Sequence, residues 1–102
     1  MVHASKTETV PFDAALYLIT TESQVELLSD ALQTGDPSYI ATALGTIARA
    51  RGMAEVARDA NVTREGLYKS LSSTGDPRLS TLMGVMKALN LEFRAVSAGN
   101  RA

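Results

Sequence analysis

A chain of 102 residues, 45% apolar and 21% charged, makes one soluble globular domain, long enough for a single hydrophobic core and too short for two. It has no cysteine, which excludes disulfides and thiolate metal sites, and its only histidine, His3, lies in a terminus, so no imidazole catalysis, metal or cofactor is expected. The net charge is −1, no apolar run nears the ~18 residues of a membrane span and no signal-peptide pattern opens the chain, so a cytoplasmic protein with no membrane partner is expected.

In chain order, residues 1–21 read as an N-terminal extension. Met1–Val10 is polar and weakly patterned, and Pro11 biases Val10 away from helix. Asp13 is placed to cap a short turn through Ala14 and Leu18. Phe12, Tyr17 and Leu18 are more apolar than a free tail requires; they either fold back on the core or bind a partner. Residues 22–90 read as a helical domain. Its first helix spans Glu22–Thr34, beginning at Thr21 or Glu22, with Val25, Leu28, Ala31 and Leu32 at helical spacing and Gly35 as its stop. Asp36 as N-cap with Pro37 in the first turn opens the next, whose Ile40, Leu44, Ile47 and Ala48 form the i, i+4, i+7, i+8 stripe of a buried face. Ala41, Ala43, Gly45 and Ala48 make that helix slim enough for close neighbours. Arg49 and Arg51 suit its C-terminal end, and Gly52 ends it.

Met53–Ser72, MAEVARDANVTREGLYKSLS, reads as two short helices around a tight turn. Val56, Ala57 and Ala60 make the inner face of the first. Asn61 tolerates the left-handed conformation that the turn needs, Val62 plugs the corner, and Thr63 caps the second helix. Leu67 and Leu71, four apart, are its buried face, which leaves Arg64, Tyr68 and Lys69 outward, as for a helix lying in the major groove of DNA. The bland alternative is an ordinary helical hairpin. SSTGDPR, residues 72–78, is a dense run of turn formers that either sets Ser72, Ser73 and Arg78 beside phosphates or merely connects. Leu79–Asn90 is a further amphipathic helix with Ser80 a candidate cap and Leu82, Met83, Met86 and Leu89 inward. Leu91–Val96 alternates, with Leu91, Phe93 and Ala95 on one face against Glu92 and Arg94, as in a strand; a lone strand needs the N-terminal segment or a second subunit beside it. Residues 97–102 complete a C-terminal strand-and-tail region spanning 91–102.

The charge is segregated along the chain. Residues 1–48 hold one lysine against six carboxylates, −5, and residues 49–102 hold nine Lys/Arg against five carboxylates, +4. The helix-turn-helix lies in the basic half, and phosphate attraction depends on local charge. The acidic half is either a solvated face or a surface for a basic protein. No phosphate-binding glycine loop and no pairing of carboxylates with an orienting base is present, so an enzyme is not expected.

The run VTREGLYKSLS, within IARARGMAEVARDANVTREGLYKSLSSTGDPRLSTLMGVMKALNL, resembles the lambda-repressor-like (Xre/Cro-type) helix-turn-helix of HigA-type addiction-module antitoxins. Upstream, GDPSYIATALGTIARARGM and PFDAALYL share the likeness, which runs from about Pro11 to Val96. The resemblance implies a mainly α fold, a five-helix DNA-binding domain with a short C-terminal β-strand, and an antitoxin of a type II toxin–antitoxin module. Its implied partners are a RelE-like ribonuclease toxin, double-stranded operator DNA whose operon it represses, and a second copy in a homodimer. The DNA-contacting set is Thr63, Arg64, Glu65, Tyr68, Lys69, Ser72 and Arg78. The toxin would meet Phe12, Tyr17 and Leu18, and the dimer would form through Leu91, Phe93 and Ala95. Two residues depart from the family pattern: Ala54 replaces a capping Ser, and Glu55 replaces a Gln that donates to phosphate. A prophage-type regulator without a toxin, and a partner module that keeps only the scaffold, are the competing readings.

Overall fold

The computed structural model describes residues 20–99, and among them the chain forms five α-helices. The ends of the first two are set by short-range chemistry. Helix α1 (Thr21–Thr34) starts at Thr20, whose side-chain oxygen accepts from the Ser23 amide at 3.2 Å, and stops at Gly35 in the left-handed conformation (φ 69°). Helix α2 (Pro37–Arg51) starts at Asp36, whose carboxylate accepts from the Ser38 amide at 3.0 Å, with Pro37 in the first turn where its missing N–H costs nothing. Tyr39 Oη donates to Asp30 Oδ2 at 2.9 Å and so ties α2 back to α1.

Three shorter helices follow: α3 (Met53–Asp59), α4 (Arg64–Ser70) and α5 (Leu79–Ala88). A seven-residue helix has too few internal hydrogen bonds to hold itself, so α3 and α4 depend on burial. The core supplies it: Leu44 and Ile47 of α2, Val56 of α3, Leu67 of α4 and Val85 of α5 are fully buried together, with Leu89 just beyond α5. Each such side chain contributes about 1.5–3 kcal/mol by leaving water. Helix α3 packs on α2, α4 and α5, while α1 packs on α2. Two glycines make close approaches possible. A Cβ on Gly45 would collide with the Leu71 carbonyl, and one on Gly84 would stand 3.1 Å from Ala60 Cα. Helices α2 and α5 therefore press on the two ends of the α3–α4 hairpin.

The sequence reading and the structure differ at four places. Ser80 does not cap α5: the helix starts at Leu79, with Arg78 at its N-cap and no side-chain cap bond, so Ser80 already lies in the first turn. Met83 points outward, 51% exposed, because the inward face of α5 is taken by Leu82, Val85, Met86 and Leu89. On α1, Leu28 and Ala31 are buried, but Val25 and Leu32 remain 46% and 41% exposed, and the buried polar Gln24 takes the place expected of an apolar residue. No strand is found among the described residues: Leu91–Val96 is coil, since a strand exists only by pairing and no described residue forms a ladder with it. Phe12, Tyr17, Leu18 and the turn expected at Asp13 lie outside the described residues. Among the described residues no helix is long and apolar enough to cross a membrane.

Candidate nucleic-acid interface

The turn between α3 and α4 is closed by two hydrogen bonds. The Val62 amide donates to the Ala57 carbonyl at 3.0 Å and the Asn61 amide to the Arg58 carbonyl at 3.1 Å. This pair is a Schellman motif, and it requires the left-handed Asn61 observed at φ 61°. Val62 follows, half-buried against the core, and Thr63 then caps α4 by accepting from the Gly66 amide at 2.9 Å. Leu67 and Leu71 anchor the helix on its buried side. Register does the rest: with Leu67 inward, Arg64, Glu65, Tyr68 and Lys69 all project into solvent.

On that outer face the Arg64 guanidinium carbon lies 5.9 Å from the Tyr68 ring centroid, a cation–π spacing between residues one helical turn apart. Tyr68 is 44% exposed, so its ring meets Arg64 at the surface of the helix. Lys69 adds a second positive charge. Glu65 opposes them on the same helix and gives the face both a donor and an acceptor character. The hydroxyls of Thr63 and Ser72 are engaged differently. Thr63 holds the helix start, and Ser72 Oγ donates to the Lys69 carbonyl at 2.8 Å, closing the end of α4. Ser38 Oγ on α2 donates to the Ser73 carbonyl at 2.8 Å, which pins the loop after α4 to a helix 35 residues earlier. Beside the loop, an open groove of about 300 Å³ is lined by Gly66, Lys69, Ser70, Thr74, Gly75 and Asp76. Arg78 lies beyond it, exposed at the start of α5. The structure thus brings Thr63, Arg64, Glu65, Tyr68, Lys69 and Ser72 together on and around one short helix, and sets Arg78 at the far side of the connecting loop.

Three residues near this surface modify it: Arg51, Ala54 and Glu55. Arg51, one of the positive charges of the basic half, is turned inward: its two terminal nitrogens donate to the Ala88 and Leu89 carbonyls at 3.0 and 3.1 Å and cap the C-terminal end of α5. Nothing local signals a contact between residues 37 and 38 apart in sequence. Helix α3 has Gly52 as its N-cap and no side-chain cap bond, so Ala54 lies inside the first turn and not at the cap position that the family pattern implies. Glu55 stands exposed in the first turn of α3, where its charge favours the helix and disfavours an approaching phosphate.

Comparison with known proteins places the chain in a family. A family model described as "Probable addiction module antidote protein" matches residues 8–97. The chain is also 54% identical over 84 residues to an uncharacterized protein of Haemophilus influenzae, a match covering 81% of this chain and 86% of that protein. No solved structure matches the chain. With nearly the whole chain matched, including the five helices of the described residues, the protein belongs to the family of probable addiction module antidote proteins.

Proposed function

We propose that this antidote protein is a HigA-type antitoxin, a non-enzymatic homodimer that neutralises a RelE-like ribonuclease toxin and represses its own operon through α4. The observation that carries the DNA-binding half is the outer face of α4. A short helix, capped at Thr63 and seated by Leu67, offers Arg64 steadied over Tyr68 together with Lys69, and none of the three is buried. Arg suits a bidentate contact with guanine and Lys a phosphate. The toxin-binding half draws on the opposite charge of the first helix. Glu22, Glu26 and Asp30, spaced by four, form one exposed acidic stripe on α1, a helix with no lysine or arginine. A toxin that handles RNA presents basic surface, and opposite charge speeds encounter and sets orientation. Phe12, Tyr17 and Leu18 would then supply apolar anchors that slow release.

The test measures binding to the DNA upstream of the gene across a range of salt. Phosphate contacts demand a steep salt slope. Arg64→Ala should weaken binding by roughly 1–3 kcal/mol and relax sequence preference, whereas Lys69→Ala should weaken all sequences alike and flatten the slope. Equal binding by parent and both variants would remove α4 from the DNA. Co-expression with the product of the neighbouring gene, followed by pull-down, tests the toxin; a chain lacking residues 1–18 should keep operator binding and lose neutralisation.

A further inference from the structure

Resting on the homodimer reading above, we infer that two copies pair through residues 91–95 as an antiparallel two-stranded ribbon whose two-fold axis passes through Phe93. The chain is aimed for this by the end of α5. The Leu91 amide donates to the Met86 carbonyl at 2.9 Å and the Asn90 amide to the Lys87 carbonyl at 3.0 Å, a Schellman turn with Asn90 left-handed at φ 59°. That turn sends Leu91 back over Met86, and the following residues run beside α1. Between them lies a groove of about 310 Å³ lined by Val25, Leu28, Ser29, Leu32 and Met86 and by residues 91–94, the charged Glu92 and Arg94 included. Phe93 is 37% exposed, and Val25 and Leu32, as noted, are more exposed still. The residues after Leu91 are extended in pattern but pair with nothing, an edge that offers unpaired donors and acceptors.

The register follows from charge. Arg94 Nε already lies 2.8 Å from Glu92 Oε2 within one chain, so the two side chains share a face, both well exposed. In antiparallel pairing centred on Phe93, Glu92 stands opposite the partner's Arg94 and Arg94 opposite the partner's Glu92. Phe93 meets its own copy, and Leu91 meets the partner's Ala95. Centring on residue 92 would oppose two glutamates, and centring on residue 94 two arginines, each destabilising. An axis between residues would set polar side chains opposite apolar ones and spoil both faces. Only the Phe93 register sets every charged side chain opposite its complement and every apolar one opposite an apolar one. A two-fold interface must be self-complementary in this way.

Charge reversal tests the register. Glu92→Arg and Arg94→Glu should each raise the dimer dissociation constant about tenfold or more, since each sets like charges opposite one another twice. Mixing the two single variants should restore dimer, as a heterodimer, because every cross-strand pair is then complementary; an ion pair kept within one chain cannot produce that rescue. The absence of cysteine allows a second readout. Phe93→Cys should oxidise to a disulfide-linked dimer, because opposed Cα atoms in such a ribbon lie roughly 4.5–5.5 Å apart, within disulfide range. Glu92→Cys, two residues out of register with its own copy, should cross-link far less. Sedimentation analysis reads all of these. A parent chain that is monomeric at every concentration overturns both the homodimer and the ribbon. A parent dimer indifferent to the reversals, with no rescue on mixing, overturns the ribbon alone and puts the contact elsewhere.

Discussion

Two turns in this protein are built alike and lead to different ends. Asn61 after α3 and Asn90 after α5 are the non-glycine residues with positive φ, 61° and 59°, among those described. Each closes a Schellman pair, and each hands the chain to an apolar residue, Val62 or Leu91, that folds back on the core. After Val62 comes Thr63, a side chain able to cap, and the chain starts α4 at once. After Leu91 comes Glu92, with no cap and an alternating pattern, and the chain runs out along an open groove. A Schellman turn therefore sets where a helix stops and which way the chain leaves. What the chain becomes afterwards depends on the next residue and on whether a partner surface is at hand.

The largest effect should come from removing the anchor that the first turn delivers. Leu67→Ala opens a cavity in the core and is expected to cost about 2–5 kcal/mol in denaturant unfolding. A loss under about 1 kcal/mol would mean that α4 is not held by its buried face. Next comes the brace of the second turn. Arg51→Met keeps the aliphatic stem but removes two charged hydrogen bonds from the end of α5, so a loss of about 1.5–3 kcal/mol is expected, with helix α5 losing amide-exchange protection first. The turns themselves are compared directly by Asn61→Ala and Asn90→Ala. Each should cost about 1–2 kcal/mol for forcing alanine into the left-handed region, and glycine at either site should cost less. Similar stability losses with different functional losses, operator binding for Asn61 and dimerisation for Asn90, would sharpen the comparison. Unequal stability losses would break it.

The smallest effect lies away from both turns. The Tyr39 hydroxyl donates to the Asp30 carboxylate, and that hydrogen bond, with slight desolvation and the nearby negative charge, raises the phenol above its ordinary value near 10.0. The folded value being the higher one, the contact is intact below pH 10 and is lost as pH rises through the raised value, when two anions would face each other. Ultraviolet titration should show Tyr39 ionising late, and Asp30→Asn should return it to the ordinary range.

Helix starts and stops were legible where one residue settles them: Asp36 with Pro37, Gly35, Gly52, Asn61 and Thr63 all act as their chemistry implies. The outward set on α4 was legible too, because Leu67 and Leu71 pin the register of a short helix. Periodicity was less reliable for the partly covered faces. Val25, Leu32 and Met83 fit the apolar pattern yet stay exposed, since a helix has more apolar width than one neighbour can cover. Arg51 likewise read as serving the C-terminal end of its own helix α2, though its guanidinium closes the end of α5.

By itself, then, the sequence determined the caps, the left-handed turn, the buried stripe of α2 and the membership of Arg64, Tyr68 and Lys69 in one outward face, because these depend on neighbours within about one helical turn. The tertiary structure alone decided that Arg51 caps α5, that Ser38 holds the loop at Ser73, and that Gly45 and Gly84 admit Leu71 and Ala60. It also decided that residues 91–94 line a groove beside α1. Those contacts join residues far apart in the chain, and their geometry exists only once the helices have packed.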